Sequence, residues 1–198
     1  MAPTVYYASY SAPKSGGGRT FVGSIGLPSA TLTAVLRSVI SECFRQGFRR
    51  LVVLNGHFEN VHPASESLEE LLGPGGTLHS KLDQSAQALL VNWWHFLDDK
   101  DLSDMFGTAF PGFEAEHAGI LETSLMEYLF PSLVRIDRKV EGGATRTVPY
   151  EIFPAPQDTL WPNGIGTTAV PASRDLGQKI TELVVARISR VLGEEFGI

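Results

Sequence analysis

His57 and Glu59 stand two residues apart, just beyond the apolar run Leu51-Val52-Val53-Leu54 and the break Asn55-Gly56. If that run is a strand of an open α/β sheet, the pair lies at the strand's carboxyl end, where ligands collect in such sheets. An imidazole nitrogen and a carboxylate oxygen are good donors to Zn²⁺ or Mn²⁺, and the same two groups can move a proton. Glycine at 56 suits a sharp backbone turn. The spacing fits an ordinary surface turn equally well, so the choice needs a second cluster.

That cluster is Glu114, Glu116, His117 and Glu122, four ionisable residues with no basic residue from 101 to 131 to offset them. An ordinary exposed helix intersperses such carboxylates with Lys or Arg at i, i+4. Acids left uncompensated beside a histidine point to a cation as the neutralising partner. His117 and Glu122 are about 140° apart around an ideal helix, so they share no face of one. They approach one point if His117 sits at or before the first turn, where the helix dipole would also lower its pKa.

The elements that must position these residues follow from periodicity. Residues 5–8, Val-Tyr-Tyr-Ala, read as a strand. Residues 27–48 read as a helix, with Leu32, Val35, Leu36, Val39, Ile40, Cys43 and Phe44 on one stripe, Ser29 or Thr31 as cap and Gly47 as stop. The strand at 51–54 follows, then a helix through 63–72 ended by Gly73-Pro74-Gly75-Gly76, then a strand at 86–92. This is the βαβ rhythm of a parallel sheet. Trp93 and Trp94 close that strand, either as a core plug or as the wall of a pocket for a flat ligand; His95 beside them reads as packing or surface. A short helix is expected within 99–109, a helical segment over 114–130, a strand at 131–137, irregular chain over 141–159 and an amphipathic helix at 173–192. Residues 11–18 end in a Gly-rich loop, Lys-Ser-Gly-Gly-Gly. It lacks the spacing of a phosphate loop, and it reads as a flexible turn or as a loop that lets substrate approach closely.

Composition narrows the classes. The chain of 198 residues has the length of a single domain, with no internal repeat or linker. A formal charge of −6 and the lack of a basic run argue against nucleic acid. No apolar run approaches the ~20 residues of a membrane span, and no signal peptide opens the sequence. The expectation is a cytoplasmic protein with no membrane partner. Cys43, the single cysteine, reads as a structural thiol.

The segments KSGGGRTFVGSIGLPSATLT, NGHFEN and EHAGILETSLM, in this order and spacing, resemble those of the creatininases, and the resemblance runs over essentially the whole chain. It implies a single three-layer α/β/α domain with a mostly parallel sheet, assembled as a homohexamer. It also implies two divalent metals per subunit, Zn²⁺ and/or Mn²⁺, that serve hydrolysis of a cyclic amide, creatinine to creatine. Carried onto this sequence, it implies His57, Glu59 and Glu122 as metal ligands, with Glu59 also the proton acceptor and His117 the acid–base histidine. Ser15, Phe58, Trp94, Phe113 and Glu114 are implied as the substrate wall. The family carries Tyr, Trp and Asp where this chain has Phe58, Phe113 and Glu114, which removes a hydroxyl and an indole N–H from the wall. Its amino-terminal segment, with an E-x-H pair and a bridging Asp, has no counterpart in residues 1–10. The domain is therefore expected to be truncated at its amino terminus, with metal occupancy and turnover to match. Two other readings follow: a non-catalytic remnant, and a relative acting on another small amide or formamide.

Overall fold

The computed structural model describes every residue except 1, 12–20, 22, 84, 114, 143–145, 147, 162, 167 and 198. Residues group into two compact units.

The first unit holds residues 1–10, 25–93 and 192–198. Its centre is a βαβ crossover. Helix α1 (Ser29–Arg45) leads into strand β1 (Arg50–Asn55), then helix α2 (Val61–Leu72), then strand β2 (Gln87–Asn92). The strands pair in parallel, with Arg50 opposite Gln87 at one end and Asn55 opposite Asn92 at the other. Parallel neighbours require such a crossover, and a helix supplies it here. Ile40, Phe44 and Leu71 form the buried nucleus, and Leu36, Leu51, Val53, Leu68 and Ala88 pack round it. Ser67 of α2 is fully buried between the helices, where its hydroxyl donates to the carbonyls of Pro63 at 2.5 Å and Thr33 at 3.2 Å. A small residue whose polar atom is satisfied lets the two backbones come close.

Three expectations need correction here. Helix α1 is capped neither by Ser29 nor by Thr31: Pro28 is the N-cap, and its carbonyl takes the N–H groups of Thr31 and Leu32. Proline's preset φ serves the helix start without a side-chain cap. Residues 5–8 form no strand; the segment makes a single parallel bridge, Ser9 to Leu27, and Tyr6 is 85% exposed. β-Branched and aromatic composition needs a neighbouring strand before it becomes a ladder. Gly56 is not among the positive-φ glycines, so the turn after β1 does not rest on glycine's freedom. Cys43 is half-buried on α1.

The second unit holds residues 11–24 and 94–191. Helix α3 (Asp99–Phe106) opens with a reciprocal capping box between Asp98 and Asp101. Helix α4 (Ile120–Leu129) and most of helix α5 (Arg174–Phe196) make the rest of its helical framework. Arg187 of α5 holds α3 by its start, donating to the carbonyl of Phe96 at 2.8 Å and pairing with Asp101. Residues 131–137 are two 3₁₀ turns rather than a strand; Leu133 is 71% and Ile136 62% exposed, and no partner strand meets them among the described residues.

Helices α4 and α5 meet backbone to backbone at Gly177. A Cβ there would lie 1.9 Å from the carbonyl oxygen of Ser124 and 2.9 Å from Cβ of Tyr128. Gly177→Ala is therefore expected to destabilise the protein by about 2 kcal/mol, since overpacking at a rigid backbone contact typically costs 1–3. Urea unfolding checks it, and an unchanged midpoint would show that the helices part at no cost.

Candidate active site

The His57–Glu59 turn belongs to the first unit. His57 Nδ1 lies 2.7 Å from Glu59 Oε2; the imidazole is 38% exposed and the carboxylate 12%. Residues 58–60 form a 3₁₀ turn that runs directly into α2. The turn is set by amides. Asn55 Oδ1 accepts the His57 N–H at 3.1 Å and Asn60 Nδ2 at 3.3 Å, while Asn55 Nδ2 donates to Asn92 Oδ1 at 2.8 Å. Asn60 Oδ1 in turn accepts the Ser9 N–H at 3.1 Å. Phe58 stands beside the pair, 39% exposed.

His117 and Glu122 belong to the second unit, on either side of the turn at Ala118. Ala118, between His117 and α4, has φ of 51°, in the left-handed region that costs a non-glycine residue about 1 kcal/mol. Its N–H donates to Glu122 Oε2 at 2.6 Å, and its carbonyl accepts from the Thr123 hydroxyl. The His117 ring is 2.5 Å from the Gly164 carbonyl through Nδ1 and has Phe21 and Trp161 beside it, with centroids 5.9 and 5.2 Å away. A carbonyl only accepts, so Nδ1 carries a proton and Nε2 is the nitrogen left to exchange one.

Glu116 does something the sequence reading did not anticipate. It is 7% exposed, and its Oε1 accepts the N–H groups of Leu121 at 2.8 Å and Glu122 at 3.3 Å, two of the orphan donors at the start of α4. Its Oε2 has no hydrogen-bond partner among the described residues and lies where a Cβ on Gly119 would come within 2.6 Å. Burial pushes the carboxyl up to about 7; the two amide bonds pull the other way and the charge of Glu122 adds to the rise. The signal in the sequence is an acid a few residues ahead of a helix start, a place that suits a helix-capping carboxylate.

Trp94 is 2% exposed and meets His95 edge-on. Phe113 meets Phe110 edge-on, and Phe110 stacks on Phe106. Ser15 and Glu114 lie outside the described residues.

Imidazole and carboxylate side by side at a strand end are the donor types that Zn²⁺ and Mn²⁺ take, so His57 and Glu59 fit a divalent cation in kind. Among the described residues, no three His, Cys, Asp or Glu side chains are gathered round one point. Because such donors must be deprotonated to bind, proton and cation compete for this pair.

An α/β chain with a histidine–carboxylate turn at a strand end, and a second histidine tied to the start of a helix, carries the parts of a hydrolase. The family model for creatininase, creatinine amidohydrolase, matches residues 1–192. The chain is 36% identical over 201 residues to the creatinine amidohydrolase of Pseudomonas putida, covering 99% of this chain and 75% of that one. Among solved structures, "Creatininase Mn" superposes with a TM-score of 0.90 at 35% identity, over 98% of this chain and 75% of that chain. A crystal structure of creatinine amidohydrolase (creatininase) gives 0.90 at 34%, over 98% and 74%. The chain belongs to the creatininase family. It is a hydrolase acting on amide C–N bonds of a small molecule.

Proposed function

We propose that this protein opens the ring of creatinine to give creatine, with a divalent cation, Zn²⁺ or Mn²⁺, taken up at the His57–Glu59 turn; Glu122 is the further ligand that the family resemblance assigns. The match to a creatinine amidohydrolase, over 99% of this chain and 75% of that one, carries this reading. A bound cation would supply Lewis-acid chemistry, making water more acidic and the ring carbonyl more electrophilic. In the reaction, water oxygen joins the carbonyl carbon, the ring C–N bond breaks, and the released nitrogen takes a proton. Glu59 accepts the proton that water loses. His117 delivers the proton to nitrogen through Nε2, since Nδ1 is engaged with Gly164. The neighbouring rings of Phe21 and Trp161 restrict how the imidazole can turn. Phe58, Trp94 and Phe113, with Ser15 and Glu114, are assigned to orienting the flat ring of the substrate. Phenylalanine at 58 and 113 offers area without a polar handle, which relaxes discrimination by hydrogen bonding.

The same reading extends to a single three-layer α/β/α domain and a homohexamer. The test is made on one preparation, stripped with chelator and reloaded with Zn²⁺ or Mn²⁺. Creatine release from creatinine is expected only after reloading, with sedimentation at the mass of six chains. Faster turnover of linear formamides than of creatinine would overturn the substrate, and turnover indifferent to chelation would overturn the cation. A lone sedimenting chain would overturn the hexamer.

A further inference from the structure

We propose that Asn55, braced by Asn92, is a positioning residue that fixes the His57–Glu59 turn; the inference rests on the assignment of that pair to the active site. The two asparagines occupy the last paired position of β1 and β2. They are 4% and 9% exposed, so their amides are buried polar groups whose unmet bonds would be costly. Nothing about the strands alone calls for a facing pair of amides at this level, where aliphatic residues would pack without that demand.

The orientation of the Asn55 amide is decided by its neighbours. The His57 main-chain N–H can only donate, so the atom it meets at 3.1 Å is the Asn55 oxygen. The other end of the amide is then the NH₂ group, and it needs an acceptor, which Asn92 Oδ1 supplies at 2.8 Å. Asn60 Nδ2 shares the same Asn55 oxygen at 3.3 Å, and Asn60 is anchored through Ser9. Asn55 thus grips the turn at both ends, before His57 and after Glu59. Gly56, between Asn55 and His57, is not a positive-φ glycine and has open space where a Cβ would stand, so the bend is held by the asparagine side chain. A side chain that orients the donors of a cation site typically changes affinity about 10–100-fold when removed.

The experiment titrates Zn²⁺ into stripped protein by calorimetry and follows exchange of the His57 amide hydrogen by NMR. Asn55→Ala is expected to raise Kd for Zn²⁺ by about 10–100-fold, to speed that exchange, and to lower kcat with KM near the parent value. Asn92→Ala, which removes the brace without touching the turn, is expected to move the same readouts in the same direction. Asn92→Asp restores an acceptor for Asn55 and is expected to recover part of the loss. A role in folding alone would lower the unfolding midpoint and leave the Zn²⁺ affinity of the folded protein intact. If Asn55→Ala does not fold, Asn92→Ala decides. Affinity and His57 exchange within twofold of the parent in the folded variant overturn the proposal. His57→Ala separates the two levels. If it leaves Zn²⁺ binding unchanged, the assignment of the pair has failed, and the exchange rate of the His57 amide in Asn55→Ala still tests the grip on the turn.

Discussion

On the proposed function, Glu59→Gln is expected to lower kcat for creatinine by on the order of 10²–10⁴, the range spanned by loss of a positioned general base. The substitution keeps the shape of a side chain that is 12% exposed, so the fold should hold. It replaces the carboxylate that lies 2.7 Å from His57 Nδ1 and, on the proposed function, removes the base assigned to take the proton from water. Glutamine is also a poor cation ligand, so metal content must be measured beside the kinetics. Loss of kcat at full metal content assigns the effect to proton transfer; loss of both assigns it to cation binding. Turnover within threefold of the parent would remove Glu59 from the chemistry.

The second large effect concerns stability and comes from Glu116. Its carboxyl titrates near 7 in the folded chain against 4.5 as its ordinary value. Between those limits the folded state binds more protons than the unfolded one, so stability falls as pH rises. The contribution is fully present below pH 4.5 and lost once pH passes about 7. A shift of this size corresponds to on the order of 3 kcal/mol. Glu116→Gln keeps an oxygen for the Leu121 and Glu122 amides and removes the titration. Chelator-treated variant protein should therefore gain stability over the parent at pH 8 and little at pH 5. Parallel denaturation curves across that range would show that the buried acid does not control the pH response.

The sequence shows the secondary structure where one face is apolar. Helix α1 was readable from its stripe, although Val35 and Val39 on that stripe are exposed and Leu32, Ile40 and Phe44 bear the burial. Strand β2 and its parallel partner were readable from short apolar runs either side of a helical pattern. Residues 131–137 misled because β-branched composition says nothing about whether a neighbour exists to pair with. In the candidate site, residue types were legible and their restraints were not. His57, Glu59, His117 and Glu122 stood out by chemistry. The asparagine that holds the first pair and the buried acid under the second act through main-chain hydrogen bonds, which leave no hydropathy signal. Asn-Gly at a strand end is a known turn pairing, and here the asparagine rather than the glycine sets the turn.

The matched ends of β1 and β2 have one more consequence. Both strands stop at the same rung, Asn55 facing Asn92, with the packed nucleus below them. Chain leaving that rung can lengthen, shorten or change its side chains without shifting a single pairing underneath. Beyond the turn that carries His57 and Glu59, side chains in the departing segments can therefore change while the scaffold that folds them stays untouched.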